Sequence, residues 1–448
     1  MHATLFFIIA LALLIAIHEF GHFWVARRCG VKVLKFSIGF GKPLWQKTGK
    51  EGTQYILAAI PLGGYVKMLD EREGHVAPSE LGQAFNRQSL NKRTAIVAAG
   101  PIANLLFAIV AYWIVLVIGI PGIKPIVGEV KTGSPAALAQ LVAGDQIKAI
   151  EGELTPTWSS VNKALMAFAE QGGEAELLVA TQGTDIRRRI FVAQQSMLAD
   201  KPKNVITELG LTPELYDLKP VVGKVMPRQA AALAGLQNGD LILSTNGVNI
   251  ATWHDWVAII KANPAVALTV SIERAGQLKK MQLTPQRSDD GQGFIGAGVE
   301  ASATKMPESF RAELRYGPID SALKAVQMTW TMSALTVKSF FAMLTGNIST
   351  KNLGGPISIA QFAGASAEQG AVSFISFLAI ISISLGILNL LPIPILDGGH
   401  LMLYFFEWVR GKPISETMQM QGQKIGIVLL LTLMFFAFFN DLSRLFGI

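Results

Sequence analysis

The sequence predicts a multi-span α-helical membrane protein: four transmembrane helices, a membrane-associated β-sheet and two extracytoplasmic α+β domains. Three observations carry this. Long apolar runs occur four times in the 448 residues. A strand-forming stretch punctuated by Gly and Pro follows the first run. A segment in the middle of the chain repeats itself. Half of the residues are hydrophobic and only 16% are charged, as suits a membrane protein that also carries soluble parts.

The first run opens on Ala3 and meets no Lys or Arg before Arg27, which places a span at 1–26. The second lies between Arg93 and Lys124, with its span at 94–121. The third lies between Glu368 and Asp397, with its span at 369–402. A span needs roughly 20 apolar residues, and these three meet that easily. The fourth, placed at 421–443, has only sixteen uncharged residues between Lys424 and Asp441. Snorkelling by Lys424 extends it.

Charge placement sets the orientation. Arg27 to Arg93 holds twelve Lys/Arg and five Asp/Glu, a net +7 that equals the charge of the whole chain. The positive-inside rule puts 27–93 in the cytoplasm, with the N-terminus and the 124–370 region outside. The loop 403–420 then returns to the cytoplasm. The basic balance thus reports topology, and the chain shows no nucleic-acid motif. The first run has no basic residue before its apolar core, and positive charge follows it. It therefore reads as a retained helix rather than a cleaved signal peptide. The single cysteine, Cys29, excludes intramolecular disulfides, Cys-rich zinc modules and iron–sulfur clusters.

Within 27–93, Tyr55 to Met68 contains Pro61 and Gly63-Gly64 and reads as strand–turn–strand. With Val33 to Phe40 it makes a membrane-associated sheet, whose free edge can pair with an unwound peptide. The plain alternative is a cytoplasmic hairpin.

Residues 125–158 realign on 220–253 without gaps. Ala136-Ala137-Leu138-Ala139 matches Ala231-Ala232-Leu233-Ala234, and Gly144-Asp145 and Trp158 match Gly239-Asp240 and Trp253. Two copies make a tandem domain pair, at 122–218 and 219–305, not a solenoid. Leu241 to Val248 reads as strand, Asn-Gly turn, strand. Residues 306–368 read as amphipathic linker helices. Ile319, Leu323, Val326, Trp330, Val337, Phe340, Phe341 and Leu344 recur at helical spacing, which suits the outer membrane surface.

The chemistry begins at His18-Glu19-Phe20-Gly21-His22, an H-E-x-x-H inside a membrane-length apolar run. Residues four apart share a helix face, so His18 and His22 can grip one Zn²⁺, with Glu19 beside them as general base. Such groups at membrane depth are costly unless compensated, and a bound cation compensates them. A catalytic zinc takes three protein ligands and an open position. His2, His75 and His254 are poorly placed for the third. Asp397, in Leu396-Asp397-Gly398-Gly399-His400, closes the third apolar run at the same cytoplasmic depth and is the better candidate. His400 is the alternative. Pro392 and Pro394 break the helix ahead of Asp397 and free backbone groups there. Asn389 and Asn104 are candidates for holding substrate backbone or the geometry of the site. Their plain role is a helix-to-helix hydrogen bond.

These motifs resemble the site-2 protease family of intramembrane zinc metalloproteases. The quoted elements are the H-E-x-x-H, the Gly100-Pro101-Ile102-Ala103-Asn104 element and Asn389-Leu390-Leu391-Pro392-Ile393-Pro394 before Leu396-Asp397-Gly398. The repeated modules resemble the PDZ domains of bacterial proteases. The first copy departs at Gln140 and Glu151, where the pattern has Gly and Asn. The resemblance implies a membrane-reentrant β-loop at 27–93, including Gly63 and Gly64. It implies cleavage of single-span substrates in the bacterial inner membrane, with the PDZ pair in the periplasm. Those substrates would be an anti-sigma factor already cut outside by a first protease, and remnant signal peptides, in envelope-stress signalling. The PDZ pair would gate substrates by size, or bind peptides through Leu209-Gly210-Leu211 and Phe294-Ile295-Gly296. Two other readings are a PDZ scaffold with a structural metal, which has no need of Glu19, and a zinc transporter, which needs ionisable groups along a path.

Overall fold

The computed structural model describes residues 2–446 except 182, 195–203, 289–290, 301–303, 305, 347–353 and 413–414. The chain divides into two units. One holds Met1–Ile120 and Leu314–Ile448, the other Pro121–Gln194 and Lys203–Glu313.

The first unit starts with helix α1, His2–Arg28, whose 27 residues span about 40 Å at 1.5 Å per residue. Apart from its ends and His18, Glu19 and His22, it is apolar on every side, as suits a helix between lipid and protein. It ends where Gly30 takes φ +84° and Val31 N–H returns to the Ala26 carbonyl, satisfying the last turn. Helix α2 runs Leu90–Ile118 and so begins four residues before the expected span. The two helices approach closely, because a Cβ at Gly21 would lie 2.3 Å from the Ala99 carbonyl oxygen.

Strands β1, Val33–Thr48, and β2, Gln54–Met68, lie between them in sequence. The expected reversal around Pro61–Gly64 is present: Gln54–Leu57 runs parallel to Lys35–Ile38 and Gly64–Lys67 antiparallel to it, so β2 turns back between its halves. The two halves flank the same part of β1. Lys35, Phe36, Ser37 and Ile38 face Lys67, Val66, Tyr65 and Gly64 on one side and Gln54, Tyr55, Ile56 and Leu57 on the other. Phe36, Tyr55 and Val66 pack with Phe23, Ala26 and Ile96, which seats the sheet against the C-terminal end of α1 and the N-terminal end of α2. Beyond Phe40, the far half of β1 is exposed and carries Leu44 and Trp45.

The second unit contains the two sequence repeats, and each copy builds the same module. In the first, strands order as Glu153–Leu154, Gln146–Ile150, Gly173–Thr181 and Thr184–Val192. The short helices α3, Pro135–Leu138, and α5, Val205–Glu208, and the longer α4, Trp158–Ala169, complete it. The second orders as Val248–Asn249, Leu241–Thr245, Leu268–Arg274 and Gln277–Leu283, with α6, Ala230–Leu233, and α7, Trp253–Ala262. In both, the first strand pairs with the last. Val127–Val130 meets Leu211–Pro213, and Val222–Val225 meets Ala297–Val299. Capping boxes start the long helices at equivalent positions, Thr157 with Ser160 and Thr252 with Asp255. Each module buries its own apolar core. The two departures of the first copy fall where the backbone is left-handed. Gln140 and Glu151 take φ +59° and +50°, where the second copy has Gly235 and Asn246.

Back in the first unit, helix α8, Pro318–Leu344, fits the expected amphipathic segment with an unexpected division of faces. Ser321, Ala325, Thr329 and Ser333, four apart, are buried. Ala325 packs among Ala108, Ala111, Tyr112 and Leu116 of α2, while Leu323 and Trp330 are exposed. Small residues let the two backbones approach. Helix α9, Pro356–Glu368, follows the Gly354-Gly355 break, and α10 covers Ala371–Leu390. The third span, expected to run 369–402, is two helices: α10 stops before Pro392, and α11, Asp397–Arg410, restarts after it. The expected loop 403–420 is therefore largely helical, since α12 already begins at Glu416 and ends at Phe446. Four helical stretches among the described residues are long and apolar enough to cross a membrane: Ala3–Arg28, Leu90–Ile118, Ala371–Leu390 and Met420–Leu445.

α12 reaches α9 through one buried carboxylate. Asp441 accepts from the N–H groups of Gly355, Ile357 and Ser358 at 3.0, 2.9 and 3.1 Å, and from Ser358 Oγ at 2.5 Å. These are the donors that a helix start leaves unpaired. Asp441→Ala strands them, at about 1–3 kcal/mol for a buried unsatisfied group. The expected outcome is a lower thermal unfolding midpoint in detergent, while Asp441→Asn retains part of the loss.

Candidate metal centre

His18 and His22 sit one turn apart on α1, and Asp397 is the first residue of α11. Their donor atoms lie within 4.8 Å of one another, the one such group of His, Cys, Asp and Glu among the described residues. His18 Nε2 stands 3.3 Å from His22 Nε2, 3.1 Å separates it from Asp397 Oδ2, and His22 Nε2 is 3.5 Å from Oδ1. Donors of a tetrahedral site with bonds of about 2.0–2.1 Å stand about 3.3–3.4 Å apart. The spacing therefore fits a zinc ion with two nitrogen ligands and a carboxylate. His400, the alternative ligand, is outside this group.

The helices present these atoms by close backbone packing. A Cβ at Gly100 would lie 2.3 Å from His22 Nε2 and 2.9 Å from His18 Cε1, so both rings rest on a bare stretch of α2. His22 Nδ1 donates to the Ile96 carbonyl at 2.8 Å, which turns its Nε2 toward the centre. His18 Nδ1 is 3.2 Å from the fully buried Asn104 amide. Opposite, Gly398 and Gly399 let α11 start against the carbonyls of Leu390, Leu391 and Ile393. Arg93 of α2 pairs with Glu407 of α11 at 2.6 Å and covers the Tyr404 ring, which ties the two helices together.

Glu19 is buried, and Gly64 lies against it; a Cβ there would be 2.8 Å from Glu19 Cγ. That contact brings the 64–68 half of β2 alongside the group. Gly63 faces elsewhere, since a Cβ on it would strike the Phe40 ring at 2.3 Å. Pro392 and Pro394 lie in the irregular link between α10 and α11. The Pro394 carbonyl abuts Gly426 of α12. Asn389 stays in the last turn of α10, partly exposed, without a hydrogen bond to the three donors. Sequence reasoning did not single out Ile96, Gly21 or Ser382. Ile96 acts through its backbone, which leaves no side-chain signal. Gly100 was visible only as part of a motif.

The loops thought able to cradle a carboxylate differ. In the first module the N–H groups of Leu209 and Gly210 are spent on the Val205 and Thr207 carbonyls at 2.9 and 3.0 Å. The expectation of bare N–H groups there is corrected: α5 closes on itself and consumes them.

A histidine pair, a carboxylate and an adjoining acid, brought together among membrane-length helices, define a membrane-embedded metallohydrolase. The peptidase family M50 model matches residues 6–433, and the chain belongs to that family of intramembrane metalloproteases of the site-2 type. It is 45% identical over 442 residues to the regulator of sigma-E protease RseP of Escherichia coli, covering 98% of each chain. It is 44% identical over 445 residues to the protease RseP of Yersinia pestis, again with 98% coverage of both. Among solved structures, the PDZ domain of an SdrC-like protein from Listeria monocytogenes matches 20% of this chain and 96% of that one. The identity is 17% and the TM-score 0.18, a score that carries no argument about the fold.

Gly100→Ala pushes a methyl group onto both imidazoles. The expected outcome is a purified protein that keeps its helical circular dichroism but carries far less than one metal ion per chain by mass spectrometry.

Proposed function

We propose that this protein is a zinc-dependent intramembrane endopeptidase in which His18, His22 and Asp397 hold the ion and Glu19 is the general base. The convergence of those three donors at tetrahedral spacing carries the reading. A zinc ion supplies Lewis acidity, activating water and polarising the scissile carbonyl. Glu19 takes the proton of the attacking water and delivers it to the leaving amine. Its burial against Gly64 holds its side chain close to the 64–68 half of β2. Water has a nearby source in a polar cavity of about 730 Å³, lined by Arg72, Arg93, His400, Tyr404 and Glu407.

A transmembrane substrate must unwind before its backbone can be cut. The 64–68 half of β2 pairs with β1 on one side only and offers its other edge to an extended chain. Pro392 and Pro394 leave backbone groups without helix partners on the opposite side of the donors, and Asn389 stands at the head of that link to receive substrate.

The names of the relatives support a place in sigma-E signalling. The substrates would then be a membrane-bound anti-sigma factor after a first periplasmic cut, and remnant signal peptides. In this reading the enzyme lies in the inner membrane with the tandem modules, read as PDZ domains, in the periplasm. Self-paired N–H groups at Leu209 and Gly210 favour a size gate over peptide capture for the first module.

Glu19→Gln separates catalysis from metal binding. With a single-span test substrate, cleavage is expected to fall by at least about 10²–10⁴-fold, with zinc content unchanged. Asp397→Asn should lose both. Wild-type rates in Glu19→Gln would end the assignment of the base.

A further inference from the structure

Asn104 is the polar side chain beside the donor group whose hydrogen bonding is left incomplete. It is 0% exposed, and its Oδ1 has no partner. Its Nδ2 is placed 3.2 Å from His18 Nδ1. In that orientation the amide donates and Nδ1 accepts, so the proton of a neutral His18 sits on Nε2. An Nε2 that carries a proton has no lone pair for a cation, yet Nε2 is the atom aimed at His22 and Asp397. Amide oxygen and nitrogen are assigned by their surroundings, not by shape. Rotating the amide by half a turn puts Oδ1 against Nδ1 at the same separation.

We propose that Asn104 Oδ1 accepts the Nδ1–H of His18 and thereby sets the tautomer that gives Nε2 its lone pair. This rests on the zinc reading above and makes Asn104 a positioning residue. The junction around it is closely packed. Ser382 Oγ of α10 donates to the Asn104 backbone carbonyl at 2.9 Å. A Cβ at Gly386 would lie 3.4 Å from the Asn104 Cβ and 3.1 Å from the Pro101 carbonyl oxygen, so α10 packs closely there. Three helices therefore meet at the acceptor. The two ligands are oriented by different means: His22 by a backbone carbonyl, which no substitution removes, and His18 by a side chain, which a substitution can change. Mutating such an outer partner typically costs 10–100-fold in metal affinity.

The test compares zinc affinity of the full-length protein in detergent, by competition with a chelator, for wild type, Asn104→Leu, Asn104→Asp and His18→Ala. Asn104→Leu keeps the volume and removes the acceptor; about a 10–100-fold weaker affinity is expected. Asn104→Asp keeps an acceptor and should stay within a few-fold of wild type. Thermal unfolding of the zinc-free proteins checks that the variants fold. Independently of any variant at Asn104, ¹⁵N spectra of histidine-labelled, zinc-loaded wild type should place the His18 proton on Nδ1; His18→Ala assigns the signal. Wild-type affinity in Asn104→Leu, an equal loss in Asn104→Asp, or a proton on Nε2 would overturn the proposal. Zinc affinity in wild type no better than in His18→Ala would instead fail the metal reading itself, and this inference with it.

Discussion

Everything in the membrane unit is arranged around one electrostatic necessity. Two imidazoles, an aspartate and a glutamate are gathered, largely buried, among apolar helices. An isolated charge in such surroundings costs several kcal/mol. In the proposed reading a shared cation would remove that cost, by pairing with the carboxylate and taking the nitrogen lone pairs together. Polar residues in these long apolar runs are tolerable because they are brought together in one place.

Convergence in turn demands close backbone packing. Gly21 admits the Ala99 carbonyl, and Gly100 admits both histidine rings, so α1 and α2 approach more nearly than side chains would permit. On the other side the chain must bring Asp397 back from a distant part of the sequence. It does so by ending α10 before Pro392 and starting α11 on Gly398-Gly399, which fit against carbonyls of the preceding link. The Arg93–Glu407 pair, about one-sixth exposed on each side, then anchors the later turns of α11 to α2. Breaking a partly buried pair of this kind strands its remaining charge. Its effect would therefore be felt at Asp397, ten residues away.

Much of this was legible in the sequence, for physical reasons. Spacing of four on a helix put His18 and His22 on one face, and the scarcity of charge at membrane depth made Asp397 conspicuous. The repeat was readable because 125–158 and 220–253 align without gaps, and the Asn246-Gly247 turn stands where it was expected. Other features left weaker traces. The α11 helix has two glycines directly after Asp397, so its start looks like a turn; only its closeness to carbonyls explains them. The carbonyl of Ile96 has no side-chain signature. The reversal around Pro61–Gly64 was readable from its Pro and Gly residues, but nothing in the sequence shows that the two halves of β2 then take opposite sides of one part of β1. The N–H groups of Leu209 and Gly210 looked free because sequence does not reveal that α5 folds back upon them.

The central claim is that one ion is held by side chains from two remote parts of the chain. X-ray absorption at the zinc edge of purified wild-type protein reads this most directly. The account predicts two imidazole nitrogens near 2.0–2.1 Å with the remaining ligands oxygen, and loss of the bound metal in Asp397→Ala. A sulfur ligand, an all-oxygen shell, or an unchanged site after that substitution would contradict it.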